Sequence, residues 1–263
     1  MAYQKNFSLL VFLLFHLAFI LACNANADSL ELGFYKKTCP TVETIVQKIT
    51  AAKISSAPSL AAALLRLYFH DCFVRIRPYW PVPLGRRDGR VSIADESLTL
   101  PPFDANIDKL KAIFASKGLS VKDLVVLSGG HTIGISHCSI IASRLYNFTG
   151  KGDTDPSLDE KYVPYLKSKC KPTDKTTQLE MDPGSVKTFD ESYYTNVLKR
   201  RGLFGSDAAL ITDYETRAYV KLQAQSHGST FFKDFQESMV KMGQIEVLTG
   251  SAGEIRRHCN LIN

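Results

Sequence analysis

The stretch Val125-Val126-Leu127-Ser128-Gly129-Gly130-His131-Thr132-Ile133-Gly134 constrains this chain most. An apolar helical end runs into two glycines, and one histidine follows among apolar and hydroxyl neighbours. Glycines at a helix end permit a left-handed turn or the close approach of another group to the backbone. The spacing therefore puts His131 at the mouth of a tight turn, beside room for a flat ligand. Neutral imidazole is a common metal ligand, and haem iron is often carried by one histidine. A satisfied core histidine is the ordinary alternative, and the segment alone does not overturn it.

A second stretch, Leu64-Leu65-Arg66-Leu67-Tyr68-Phe69-His70-Asp71-Cys72, puts Arg66 and His70 one helical turn apart on one face. Leu64, Leu65, Tyr68 and Phe69 make the surroundings apolar. A base beside a fixed cation suits heterolysis of a polar bond such as that of hydrogen peroxide. His70 would move the proton, and Arg66 would stabilise the charge that develops. An amphipathic helix with a surface arginine is the bland alternative. A zinc hydrolase built on His70, Asp71 and His131 is disfavoured, because no H-E-x-x-H spacing is present.

The first residues read as an export signal. Lys5 precedes the apolar run Leu9 to Leu21, and Ala25-Asn26-Ala27 offers small residues for cleavage. Residues 1–27 are then the signal and 28–263 one domain. The run is too short to favour a membrane span over a signal. The charge balance is mildly basic, 32 Lys+Arg against 26 Asp+Glu, with no aromatic-basic interleaving that would suggest a nucleic-acid partner. Five cysteines follow the signal: Cys39, Cys72, Cys138, Cys170 and Cys259. An odd count in an exported protein leaves at least one thiol without an intramolecular partner.

Helical spacing dominates, and the class is mostly α. After Pro40 it runs through Val42, Ile45, Val46 and Ile49, and then from Ser59 to Cys72. It continues from Phe103 to Ser116 and restarts at Ser120 with Asp123 as a capping pair. It resumes around Ile135–Tyr146, Glu160–Lys169, Asp190–Arg200, Asp213–Gln225 and Ser229–Met242. The stretch from Ile76 to Gly89 is irregular and rich in Pro and Arg. No internal repeat or low-complexity linker is found.

These motifs resemble the secretory plant haem peroxidases of class III. Arg66-Leu67-Tyr68-Phe69-His70-Asp71-Cys72-Phe73-Val74 is similar to their distal haem signature, and Leu127–Gly134 to their proximal one. Gly85-Arg86-Arg87-Asp88, Arg144-Leu145-Tyr146-Asn147-Phe148 and Gly202-Leu203-Phe204-Gly205-Ser206-Asp207 also resemble family segments, in the family's order. The resemblance implies a plant-haem-peroxidase-like helical fold, with two lobes around haem b. It implies His131 as the axial iron ligand, Phe69 beside the haem, His70 as acid–base catalyst and Arg66 as stabiliser. Asp207 would accept the other N–H of His131, making the imidazole more electron-donating; without the resemblance, a helix-start or turn carboxylate is the expected reading. Thr132, Asp182, Ser185, Thr188 and Asp190 would hold a proximal calcium, with Thr188 giving mainly a backbone oxygen. A solvated Asp/Ser loop is the alternative there. Pro101 would border the reducing-substrate channel, Cys138 would pair with Cys170, and Asn147-Phe148-Thr149 is a glycosylation sequon. The implied activity is reduction of hydrogen peroxide with one-electron oxidation of small phenolic donors. A monomer outside the cell is expected, in the cell wall or alternatively the vacuole, serving peroxide removal or lignin-type oxidation.

One departure stands out. Val74-Arg75 passes at once to Ile76-Arg77-Pro78-Tyr79-Trp80, where the family carries several helices of the distal lobe. Asp71 and Val74 alone are too few for the oxygen shell calcium prefers, so the distal calcium is expected to be lost or weak. The asparagine that would make the distal histidine more basic has no counterpart. Cys39, Cys72 and Cys259 would lose their partners, at about 2–4 kcal/mol per disulfide. The uncovered helices would weaken the fold, and the alternative function is therefore a catalytically impaired or haem-free isoform.

Overall fold

The computed structural model describes residues 29–71, 81–91, 93–258 and 260–263, without the side chains of 68–71 and 94. The expected signal (1–27), Cys72, Val74 and Cys259 lie outside the described residues. Helices α1 (Val42–Ser56), α2 (Leu60–Asp71), α3 (Ile107–Ser116) and α4 (Val121–Ser128) come first. Strand β1 (Ile135–His137), α5 (Cys138–Tyr146), α6 (Val163–Lys169) and strand β2 (Gln178–Glu180) follow. The chain continues through α7 (Ser192–Leu198), α8 (Gly205–Ala209), α9 (Tyr214–Gln225) and α10 (Phe231–Met242). The fold is mostly α, as the periodicity predicts.

Side-chain caps set several of the boundaries. Asn106 Oδ1 accepts the Lys109 N–H at 2.9 Å, so α3 begins at Ile107 rather than at Phe103, beyond the proline pair Pro101-Pro102. Asp213 accepts the N–H groups of Glu215 and Thr216 at the start of α9. The segment Ile135–Tyr146 is not helical throughout. Its first three residues form β1, which pairs antiparallel with β2 in the register Ile135↔Glu180, Ser136↔Leu179 and His137↔Gln178. A partner some forty residues away along the chain decides that conformation, and local spacing does not report it.

Two compact units divide the chain. One draws on 1–41, 81–92 and 246–263, where bridges join Glu31 to Leu84 and Asp88 to Glu254. The other draws on 42–80 and 93–245 and holds the helical core. There Leu110 and Phe114 of α3, Val125 and Val126 of α4, Tyr193 and Tyr194 of α7, Val220 of α9 and Phe231 and Phe235 of α10 form one apolar cluster. A second gathers Ile141 and Leu145 of α5, Leu166 of α6 and Leu179 of β2 around Cys138 and Cys170. Those two cysteines are joined by a disulfide with Cα atoms 5.3 Å apart. No helix among the described residues is long and apolar enough to cross a membrane.

Candidate active site

Ser120 caps α4, and Asp123 returns the bond to the Ser120 N–H, as the capping pair predicts. The helix then tightens into a 3-10 turn, Gly129–Thr132, that carries His131. Gly129 stays right-handed, with φ −60, so it is close approach and not a left-handed turn that needs the glycine. A Cβ there would lie 2.3 Å from the Tyr194 hydroxyl and 2.6 Å from the Phe231 ring. Leu65 of α2 comes to 3.4 Å from the Cβ position of Gly130, setting α2 beside this turn.

His131 is about one third exposed, and its Nδ1 lies 2.8 Å from Asp207 Oδ1. The same oxygen accepts the Tyr193 hydroxyl at 2.8 Å, and Oδ2 accepts the Phe204 N–H at 2.9 Å. Phe204 and Tyr193 stand edge-on to the imidazole, at 5.1 and 5.9 Å between ring centres. Burial alone would push the Asp207 carboxyl up. The adjacent His131, the Phe204 N–H and the Tyr193 hydroxyl outweigh it and hold the group below the usual carboxylate range. An anion at Nδ1 keeps the proton on that nitrogen, which leaves the lone pair of a neutral imidazole on Nε2. That donor set fits a haem iron held on its proximal side.

Asp207 is placed by its own segment. It is the third residue of α8 and caps that helix while it bonds His131, so the helix-start position and the contact with the imidazole coincide. Gly202 lets it sit there, since a Cβ on Gly202 would come within 2.5 Å of Asp207 Cβ. Buried Arg144 braces the segment through the carbonyls of Gly202 at 3.0 Å and Leu203 at 2.6 Å, and it pairs with Asp155 at 2.6 Å.

The residues read as calcium ligands meet in one place. The buried Thr132 Oγ1 lies 3.1 Å from Asp182 Oδ2, 3.4 Å from Asp190 Oδ1 and 3.5 Å from the Thr188 carbonyl. Ser185 donates to Asp190 at 2.6 Å, and Asn196 donates to Asp182 at 2.6 Å. Burial pushes the Asp182 carboxyl up to about 6, against the bonds from Asn196 and Thr132, and the neighbouring Asp190 adds to the rise. Two carboxylates, hydroxyls and a carbonyl are oxygen donors of the kind a hard cation takes. Hydrogen bonds from Gly134 N–H to Val186 O and from Met181 N–H to Gly134 O, both 3.1 Å, fasten this loop to the histidine turn.

Other predicted residues are dispersed or fall outside. Arg66 is exposed on α2, and the side chains of Phe69, His70 and Asp71 lie outside the described residues. Pro101 is half-buried in the turn before α3; nearby Phe103 faces Phe204 at 6.0 Å. Asn147 is exposed at the end of α5, and its side-chain oxygen accepts the Gly152 N–H at 3.0 Å. Cys39 is exposed and unbridged. Sequence reading does not single out Tyr193 or Asn196. They sit three residues apart on α7, one reaching Asp207 and the other Asp182, and only helical phasing against those two carboxylates could have raised them.

Residues 76–226 match the family model described as Peroxidase, beginning where the chain departs from the family pattern. Peroxidase 27 of Arabidopsis thaliana is 48% identical over 307 positions, covering 93% of this chain and 95% of that protein. Peroxidase 56 of the same plant is 47% identical, covering 90% and 92%. Peroxidase 1 of Oryza sativa subsp. japonica is 45% identical, covering 92% and 95%. An alignment of 307 positions exceeds the 263 residues of this chain, so that relative carries residues this one lacks. The chain belongs to the peroxidase family, as a shortened member of the class III plant peroxidases.

Proposed function

We propose that this chain is a secreted haem peroxidase that reduces hydrogen peroxide and oxidises small phenolic donors one electron at a time. The observation that carries the reading is the buried Asp207 carboxylate on His131 Nδ1 at 2.8 Å. Bound haem would supply an iron able to take two oxidising equivalents from peroxide and release them singly. His131 would hold it through Nε2, with Phe69 against the ring, while Asp207 fixes the tautomer and enriches the imidazole. His70 would accept one peroxide proton and return it to the departing oxygen, which leaves as water. Arg66 would stabilise the charge on that oxygen. Calcium at Thr132, Asp182, Ser185, Thr188 and Asp190 would brace the turn next to His131, whereas Asp71 and Val74 are too few to keep a distal ion. Pro101 would border the donor channel, and Asn147 would carry a glycan. We assign the mature chain, from residue 28, to the cell exterior or wall as a monomer.

Reconstitution tests the reading. Mature protein folded with haem and calcium should show a Soret band with histidine-ligated features, and His131→Ala should lose it. His70→Ala should keep the band and slow the reaction with peroxide by about 10²–10⁴-fold, the usual share of general acid–base catalysis. A cooperatively folded wild type that stays colourless would instead identify the haem-free isoform.

A further inference from the structure

Asp207 Oδ1 serves two donors at once, His131 Nδ1 and the Tyr193 hydroxyl, each at 2.8 Å. Tyr193 and Asp207 are each only 1% exposed, so water does not screen the bond between them, and hydrogen bonds in such surroundings polarise one another. A carboxylate oxygen that accepts a phenol spreads part of its charge onto that donor. What remains to draw on the imidazole proton is correspondingly less.

We propose that Tyr193 is a positioning residue that tunes the axial ligand. Through Asp207 it limits how far the carboxylate draws the His131 proton, and so how electron-rich the iron-bound imidazole becomes. This inference rests on the haem-peroxidase reading. Two features argue that the bond is more than the satisfaction of a buried phenol. The hydroxyl meets the oxygen that holds the imidazole, not the one that accepts the Phe204 N–H. The ring also stands edge-on to the imidazole at 78°, so the phenol restrains the orientation of both partners. The neighbouring Tyr194 supplies an internal comparison. It is equally buried, but its hydroxyl lies 3.3 and 3.2 Å from the Val125 and Val126 carbonyl oxygens.

The test uses haem-loaded protein and two readouts independent of turnover: the ferric/ferrous reduction potential and the iron–histidine stretch of the ferrous form. Tyr193→Phe frees Asp207 to draw harder on His131. The potential should move to more negative values and the stretch to higher frequency, while Tyr194→Phe leaves both in place. Should Tyr193→Phe fail to fold, fluorotyrosine at position 193, a stronger hydrogen-bond donor, should move both readouts the opposite way. Unchanged values in either Tyr193 variant, or equal shifts from Tyr194→Phe, would overturn the inference. A wild type that takes up no haem would instead overturn the reading beneath it.

Discussion

Each oxygen of Asp207 has a different duty: one caps α8 and the other holds His131. Asn at this position keeps the shape but cannot serve both. If its oxygen keeps the Phe204 N–H, its amide N–H group faces Nδ1 and forces that nitrogen to accept. The ring proton then sits on Nε2, the nitrogen needed for iron. Asp207→Asn should therefore fold and yet lose histidine-ligated haem, with the tautomer change visible by ¹⁵N NMR of the imidazole. Gly129 is equally exacting for steric reasons. Gly129→Ala pushes a methyl into Tyr194 and Phe231 and should cost about 1–3 kcal/mol, the usual penalty for overpacking, by urea denaturation. Residues like Gly129 are legible from sequence as needing room, although not against whom. Asp207 is legible only through the family resemblance, because its pairing with His131 spans 76 positions along the chain.

Among the elements, α4 shows how a local signal and a distant partner cooperate. Ser120 and Asp123 make a capping box that can be read directly from the sequence. The same Asp123 carboxylate also accepts Ser238 Oγ at 2.7 Å and Lys241 Nζ at 3.1 Å from α10, which no pattern near Asp123 announces. Burial would raise this carboxyl, but the bonds from Ser238, Ser120 and Lys241 prevail and lower it. A carboxyl lowered on folding stabilises the protein above its unfolded value and loses that contribution as pH falls through the folded one. Asp123→Asn should thus be destabilised near neutral pH by about 1–3 kcal/mol, the cost of buried partners left unmatched. Its stability should also fall less steeply under acid, as denaturation midpoints across pH 2–6 would show. Strand β1 is the converse case: its residues read as helix, and only pairing with β2 makes them extended.

Taken whole, the molecule is unevenly buttressed. Helix α1 buries none of its residues, and Ile45 and Ile49 on its apolar stripe are at least half exposed. The break after Arg75 predicts helices robbed of cover, and the alignment with Peroxidase 27 runs over more positions than this chain has residues. The region around Cys138 is, by contrast, fastened twice. Its sulfur is bonded to Cys170, and its N–H reaches the Thr177 carbonyl at 3.0 Å, beside the β1–β2 ladder. By loop-closure entropy, a disulfide spanning 32 residues contributes about 3–4 kcal/mol. Between the two bridged cysteines runs a surface excursion with exposed Lys151. A tryptic clip after Lys151 would make two polypeptides of one without parting them. The clipped form should migrate as a single band until reductant is added, and it should keep the helical circular dichroism of the uncut protein. The covalent thread is dispensable at that point, because the sulfur bridge and the strand ladder already hold its two ends.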